Sequence, residues 1–128
     1  MDTKAKINDY QDLIVWQKSI DLIEKIYKLT SKFPTSELYG LSSQLKRASV
    51  SIASNIAEGK QRSTRKDFSQ FLRISLGSCA EVETQLFISK KLSFISDLEY
   101  NNCKILLDEI RKMLKVFISK LSIDPSHL

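Results

Sequence analysis

The sequence predicts an all-α protein, an antiparallel up-down-up-down four-helix bundle, and three observations support this. Apolar residues recur at intervals of three and four along four long segments, a spacing that places them on one face of a helix. The 128 residues include only three Gly and two Pro, too few for the many turns that a protein of short strands needs. The four segments fill most of the chain, so we expect one domain over residues 1–128 with short connections.

The first helix is predicted over about residues 9–32. Its apolar residues form two adjacent rows, one through Trp16 and Ile20 and the other through Leu22 and Ile26. Together the rows cover about half of the circumference, wider than the stripe of roughly 100° on a helix with one buried face. We therefore expect this helix to be covered on two sides. Phe33 and Pro34 should end it, because the residue before proline disfavours the α region.

The second helix is predicted over about residues 36–58, with Thr35 or Ser36 as its N-cap and Gly59 as its end. At 100° per residue its side chains fall into three stripes rather than two. One stripe faces the core, one is polar, and the third is a small apolar surface that a solvated helix has no reason to keep. We predict that this third stripe forms an interface between copies of the chain. Its residues are Val50, Ala53 and Ala57, and the core stripe contains Leu38, Leu41, Leu45, Ala48, Ile52 and Ile56.

The third and fourth helices are predicted over about residues 64–91 and 97–121. Thr64 and Asp67 are spaced like a capping pair, and Ser96 with Glu99 has the spacing of a capping box. Each helix carries one apolar row that should face the core. The rows contain Phe68, Phe71, Leu72, Ser75, Cys79, Val82 and Leu86 in the third helix, and Leu106, Ile110, Met113, Phe117 and Leu121 in the fourth.

Polar rows flank the core stripes of the second and third helices. Small side chains there would let another backbone approach, and partly buried amides and carboxylates are tolerated only when each finds a hydrogen-bond partner. We therefore predict a polar network between the two helices, with an ordinary solvated face as the alternative. The network residues are Gln44, Ser51, Asn55, Glu58, Ser78, Glu81 and Gln85.

Positive charge is concentrated around the turn between the second and third helices, within a chain of net charge +5. Each cation that neutralises a phosphate releases condensed counterions, so such a cluster predicts salt-sensitive, sequence-independent binding of nucleic acid. The alternative is a solvated basic turn without a ligand. The predicted nucleic-acid-binding residues are Lys46, Arg47, Lys60, Arg62, Arg65, Lys66 and Arg73.

Enzymatic signatures are missing from the sequence. It contains no phosphate-binding loop, dinucleotide-binding, zinc-protease or nucleophile-elbow motif, and its only histidine is His127. Cys79 and Cys103 lack a C-x-x-C partner, so we expect buried reduced thiols and no metal site. We therefore expect no catalytic residues and no cofactor. No apolar run could span a bilayer and no signal peptide is evident, so a cytoplasmic protein without a membrane partner is expected.

Several blocks of the sequence resemble one protein family over roughly residues 10–121. They are DLIVW at 12–16, FP at 33–34, ELYGL at 37–41, QLKRA at 44–48, SNIAEG at 54–59, GS at 77–78 and EVETQL at 81–86. The family is that of bacterial four-helix bundle proteins encoded in intervening sequences of large-subunit ribosomal RNA genes. It includes the accessory variability determinants of diversity-generating retroelements.

The resemblance implies a barrel-like homopentamer with a basic surface that binds nucleic acid, without known catalysis. In a retroelement context it also implies a reverse transcriptase as a partner. The family's paired basic residues correspond to Lys46 and Arg47, and its signature Asn and Glu to Asn55 and Glu58. Ala53 stands where many members have proline, which implies a straighter helix, and Ser93 replaces a common turn glycine. We therefore expect a non-enzymatic oligomer that binds nucleic acid, RNA in preference, with a protein-interaction scaffold as the alternative.

Overall fold

A computed structural model of the chain describes residues 10–123, and within them every regular element is helical. Four α-helices follow one another: α1 (Ile14–Thr30), α2 (Leu41–Lys60), α3 (Arg65–Lys91) and α4 (Asp97–Leu121). Two 3₁₀ turns, Tyr10–Asp12 and Thr35–Glu37, precede α1 and α2. Each α-helix packs against two others, α1 and α3 both lying against α2 and α4. The all-helical prediction is confirmed, and this arrangement is that of a four-helix bundle.

The core lies between the four helices and is built from apolar side chains of each. Burial of one such side chain stabilises the folded state by about 1.5–3 kcal/mol. None of the described helices is both long and apolar enough to cross a membrane. The fully buried aliphatic residues are Leu22 and Ile26 in α1, Leu45, Ile52 and Ile56 in α2, Leu72, Val82 and Leu86 in α3, and Leu107, Ile110 and Leu114 in α4.

Except at Ile110, which is buried as predicted, the apolar row predicted for α4 is displaced by one position from the observed core. Leu107, Leu114 and Ile118 are buried, whereas Leu106, Met113 and Phe117 are only partly buried beside them. Both rows are apolar and adjacent residues differ by 100° around the helix, so the periodicity fits either row. Only the position of the neighbouring helices decides which row is central.

The beginnings of α1 and α2 differ from the prediction. The first helix starts at Ile14 after a 3₁₀ turn, and residue 9, like His127, lies outside the described residues. The second starts at Leu41 rather than residue 36, so Thr35 and Ser36 do not cap it. Gly40 has φ −108° and ψ −114° and breaks the helical path. Leu38 lies before this break and is 49% exposed rather than part of the core.

Gly59 does not end α2, which continues through Lys60. A Cβ on Gly59 would lie 2.8 Å from Phe71 Cβ and 2.9 Å from Phe68 Cδ1. Real Cβ atoms do not approach other atoms so closely, so the missing side chain allows α3 to pack against the last turn of α2. The glycine is therefore needed for helix packing rather than for termination.

Local capping signals in the sequence correspond to observed caps. Thr64 Oγ1 accepts a hydrogen bond of 3.1 Å from the Asp67 N–H. Ser96 and Glu99 form the reciprocal capping box, with bonds of 2.9 Å and 3.1 Å. These side chains satisfy donors that a helix N-terminus leaves unpaired. The starts of α3 and α4 are thus determined locally.

Both cysteines are buried free thiols, as the sequence predicts. Burial raises the pKa of Cys79 to about 12 despite the opposing charge of Arg111. Burial also raises the pKa of Cys103. The two side chains therefore behave as small apolar groups of the core.

Candidate nucleic-acid interface

Three of the residues predicted to form a polar network are joined by hydrogen bonds between α2 and α3. The hydroxyls of Ser51 and Ser78 lie 2.9 Å apart. Asn55 Nδ2 donates to the Ser51 carbonyl at 2.9 Å and to its hydroxyl at 3.0 Å. Nearby, Ser75 Oγ donates to the Ile52 carbonyl at 2.9 Å. Small hydroxyl side chains thus hold the two helices close together.

The other four predicted network residues lie elsewhere. Glu58 forms an exposed ion pair of 2.6 Å with Arg62, one turn along α2. Gln44, Glu81 and Gln85 have no hydrogen bonds to the other described network residues. They line an open groove of about 740 Å³ between α2 and α3, which we call the α2–α3 groove. Because Ser51 also lines this groove, the hydrogen-bonded residues and the groove residues adjoin.

The α2–α3 groove combines charged, amide and aromatic groups. Tyr39 stands at its edge with 92% of its surface exposed. Arg47 and Glu81 bring opposite charges to the same groove, and both are exposed. Gln85 Oε1 is buried and has no hydrogen-bond donor among the described residues. Buried acceptors normally accept a hydrogen bond, so this amide oxygen is an exception.

Three of the seven predicted basic residues already interact within the chain. Lys46 Nζ lies 5.1 Å from the centroid of the Tyr27 ring. Arg62 pairs with Glu58 and its Cζ lies 4.8 Å from the centroid of the Phe71 ring. Arg65 donates to three main-chain carbonyls at the end of α4, the shortest bond being 2.8 Å to Lys120. This guanidinium therefore caps α4, whose C-terminal carbonyls carry partial negative charge.

Four predicted basic residues have no hydrogen bond or ion pair to any part of residues 10–123: Arg47, Lys60, Lys66 and Arg73. Lys60 is half-buried and the other three are exposed. Arg47 lies near the start of α2, Lys60 in its last turn, and Lys66 and Arg73 in the first half of α3. Positive charge without an internal partner is thus distributed along the α2–α3 pair.

The predicted oligomer stripe is only partly available on the chain. Val50 is 37% exposed, whereas Ala53 is 5% exposed, and Ala57 is half-buried. Ala53 is therefore covered within one copy of the chain, which corrects its assignment to the interface between copies. Because α2 packs against both α1 and α3, its covered arc is wider than one core stripe.

An ion-pair cluster between α3 and α4 was not predicted from the sequence. Glu83 Oε2 lies 3.1 Å from Lys104 Nζ and 2.9 Å from Arg111 Nη2. Lys104 also pairs with Asp108 at 3.0 Å. Burial alone would raise the pKa of Glu83, but the nearby positive charges of Lys104 and Arg111 lower it below its usual value. Only the Lys104–Asp108 spacing of four residues could have indicated part of this cluster.

The Arg111 pairing with Glu83 is close but poorly oriented. Although Nη2 is 2.9 Å from the carboxylate, Nη2 and Nε of Arg111 are buried without an aligned hydrogen-bond acceptor. We therefore regard this contact as a charge interaction. Within residues 10–123, no group of three or more His, Cys, Asp or Glu side chains is placed to hold a metal ion.

Comparisons with known proteins agree with the helical architecture. Residues 11–116 match the family described as 23S rRNA-intervening sequence protein. The crystal structure of a protein with unknown function from the S23 ribosomal protein family of Bacteroides thetaiotaomicron VPI-5482 is similar, with a TM-score of 0.73 and 28% sequence identity. That similarity covers 86% of this chain and 100% of the other. No curated protein matches the chain.

Proposed function

Because the chain belongs to the 23S rRNA-intervening sequence protein family, we propose that it is a non-enzymatic oligomer that binds nucleic acid, RNA in preference. The observation that supports this most directly is the set of four basic side chains without an internal partner. Arg47, Lys60, Lys66 and Arg73 can each approach a phosphate without first breaking an ion pair. Arg62 and Arg65 contribute less, because both already interact within the chain.

Assembly would strengthen binding by these few cations. We propose the homopentamer implied by the family resemblance, with antiparallel neighbouring helices in each copy. Five copies on one rigid body raise the effective concentration of the second and later contacts, provided that one RNA reaches several copies. A modest basic surface on each chain then suffices for strong binding.

Salt dependence tests the proposal. A labelled structured RNA is titrated with the protein at several salt concentrations, and the slope of log K against log salt is measured. Each phosphate contact contributes about −0.9 to this slope on a duplex and about −0.7 on a single strand. The double variant Lys60→Gln/Lys66→Gln should flatten the slope by about 1.4 to 1.8 per chain engaged.

The matched control removes two lysines elsewhere, Lys28 on α1 and Lys115 on α4, which are exposed. The double variant Lys28→Gln/Lys115→Gln has the same net charge, so equal flattening by both would show only a diffuse charge effect and contradict a localised interface. Absence of binding at every salt concentration would contradict the proposal as a whole.

A protein-interaction scaffold is the second candidate function, and one observation favours it. A groove of about 690 Å³ between α1 and α4 is lined by Met113, Val116 and Phe117. Lys18, Lys112 and Lys120 also line it. An apolar groove of this kind suits a helix of another protein. Absent or salt-independent RNA binding would favour this candidate.

A further inference from the structure

We propose that the α2–α3 groove binds one unpaired guanine base of a bound RNA strand. This inference rests on the proposed function, because the groove would act on a strand already held by the basic residues. It adds base recognition to a contact that would otherwise depend on phosphate alone. The groups that carry the inference are Tyr39, Gln44, Arg47, Glu81 and Gln85.

The α3 side of the groove supplies hydrogen-bond acceptors. Glu81 offers an exposed carboxylate without an internal ion-pair partner among the described residues, and Gln85 lines the groove one turn further along α3. A ligand that fits must therefore present N–H donors. Guanine presents two adjacent donors, N1–H and the exocyclic N2 amine, which one carboxylate can accept together.

The α2 side of the groove supplies donors. Arg47 has five guanidinium N–H groups in a planar fork, and Gln44 carries an amide NH₂. Guanine O6 and N7 accept such a fork, which is the commonest specific contact of arginine with a base. The opposite placement of donors and acceptors on the two helices thus matches the two edges of guanine.

Tyr39 provides a stacking surface at the edge of the groove. Tyr39 is 92% exposed, so its ring is accessible to a ligand. Unpaired RNA bases stack on such rings while their edges are read by hydrogen bonds. The Glu81 carboxylate repels phosphate, so a base rather than the backbone is expected inside the groove.

The other bases match the acceptors less well. Adenine places its N1 lone pair beside its amine, and cytosine places N3 there, so each would direct an acceptor at the carboxylate. Uracil offers a single N3–H. Guanine alone presents two neighbouring donors to Glu81 while leaving O6 and N7 for Arg47.

The test compares oligouridine strands that carry one central guanosine, inosine, adenosine or uridine, with binding followed by fluorescence anisotropy. Inosine differs from guanosine only by lacking the 2-amino group. The guanosine strand should bind about tenfold more tightly than the inosine strand. Equal affinity of all four strands would overturn the inference while leaving the proposed function intact, whereas failure of all four and of structured RNA to bind would overturn both.

The variant Glu81→Gln separates base recognition from simple charge. Removing a negative charge from an RNA-binding face strengthens phosphate-driven binding, so charge alone predicts tighter binding of every strand. The inference instead predicts that the preference for guanosine over inosine disappears while binding of oligouridine is retained or strengthened. Persistence of the full guanosine preference in Glu81→Gln would overturn it. Glu24→Gln, on the exposed surface of α1, is the control and should keep the preference.

Two substitutions of Tyr39 test stacking. Tyr39→Phe keeps the ring and should bind the guanosine strand like the unchanged protein, whereas Tyr39→Ala should weaken that binding at least fivefold. Phe87→Ala removes a ring on α3 that is 44% exposed outside the groove and should have no effect. Equal binding by Tyr39→Ala and the unchanged protein would contradict the role of the ring.

Discussion

Ser93 occupies a left-handed backbone conformation, with φ 62°, just after Leu92, the C-cap residue of α3. The Ser93 N–H donates to the Lys90 carbonyl at 3.0 Å, and the Phe94 N–H donates to the Ser89 carbonyl at 2.9 Å. This is the Schellman pattern, in which glycine is the usual residue at the left-handed position. Ser93 therefore adopts the geometry of this motif although it is not glycine.

Replacing Ser93 with glycine should stabilise the protein, because a side chain in this conformation costs about 1–2 kcal/mol and the added freedom of the unfolded chain offsets part of the gain. We expect the free energy of unfolding to rise by about 1 kcal/mol in urea titrations. Ser31→Gly is the control, since Ser31 has φ −62° at the end of α1 and should lose stability. A loss in both variants would contradict the strain at Ser93.

At the scale of elements, ionised carboxylates link segments that are distant in the sequence. Glu83 pairs with Lys104 and Arg111 across the two helices. Glu99 interacts with Lys32 and caps α4, and these contacts lower the pKa of its carboxyl group. The side chains are 23–61% exposed, so solvent still screens the charges and each pair contributes about 1 kcal/mol.

The lowered pKa values of Glu83 and Glu99 predict a loss of stability in acid. A carboxyl group whose folded pKa lies below its unfolded value of 4.5 stabilises the folded state above that value. This contribution is lost as the pH falls from 4.5 through the folded pKa. Urea titrations at successive pH values should show the loss, and Glu83→Gln should make the curve flatter below pH 4.5. An unchanged curve in this variant, like that expected for Glu24→Gln, would contradict the role of Glu83.

The boundaries of the elements show what the sequence could and could not predict. Thr64 and Ser96 were identified as caps because a capping bond joins residues only three positions apart. Gly59 was misassigned because its role depends on Phe68 and Phe71 in another helix. The start of α2 was also missed, since Thr35 and Ser36 are good capping residues that instead lie within a 3₁₀ turn. Local signals were sufficient where the interaction was local.

At the scale of the whole molecule, the fold class was predictable because apolar periodicity repeats over four long helices. The candidate site was predictable only in part: the sequence identifies seven basic residues, but which of them lack an internal partner depends on contacts with distant residues. Arg65, for example, binds carbonyls that lie 55 to 58 positions away along the chain. The sequence also predicts Gln44, Glu81 and Gln85 as polar residues between these helices, whereas the position of Tyr39 at the groove was missed because it depends on how α2 and α3 pack.

Assembly of several copies is the prediction at this scale. Sedimentation equilibrium should give a mass five times that of the 14.7 kDa chain. Val50 and Ala57 remain available for contact between copies, so Val50→Glu should lower the measured mass by introducing a charge into that contact. Ile105→Glu, at a site on α4 that is 62% exposed, is the control and should leave the mass unchanged. A single-chain mass for the unchanged protein would contradict the oligomer.

The close approach at Gly59 also has a mechanical consequence. A slide of α3 along α2 would drive Phe68 or Phe71 into main-chain atoms, and it would break the hydroxyl contact between Ser51 and Ser78. The α2–α3 pair should therefore move as a stiff unit. By contrast, the described ion pair between α1 and α4 is a solvent-accessible contact of Lys18 with Glu109. If the molecule changes shape, we expect α1 and α4 to move relative to the α2–α3 pair.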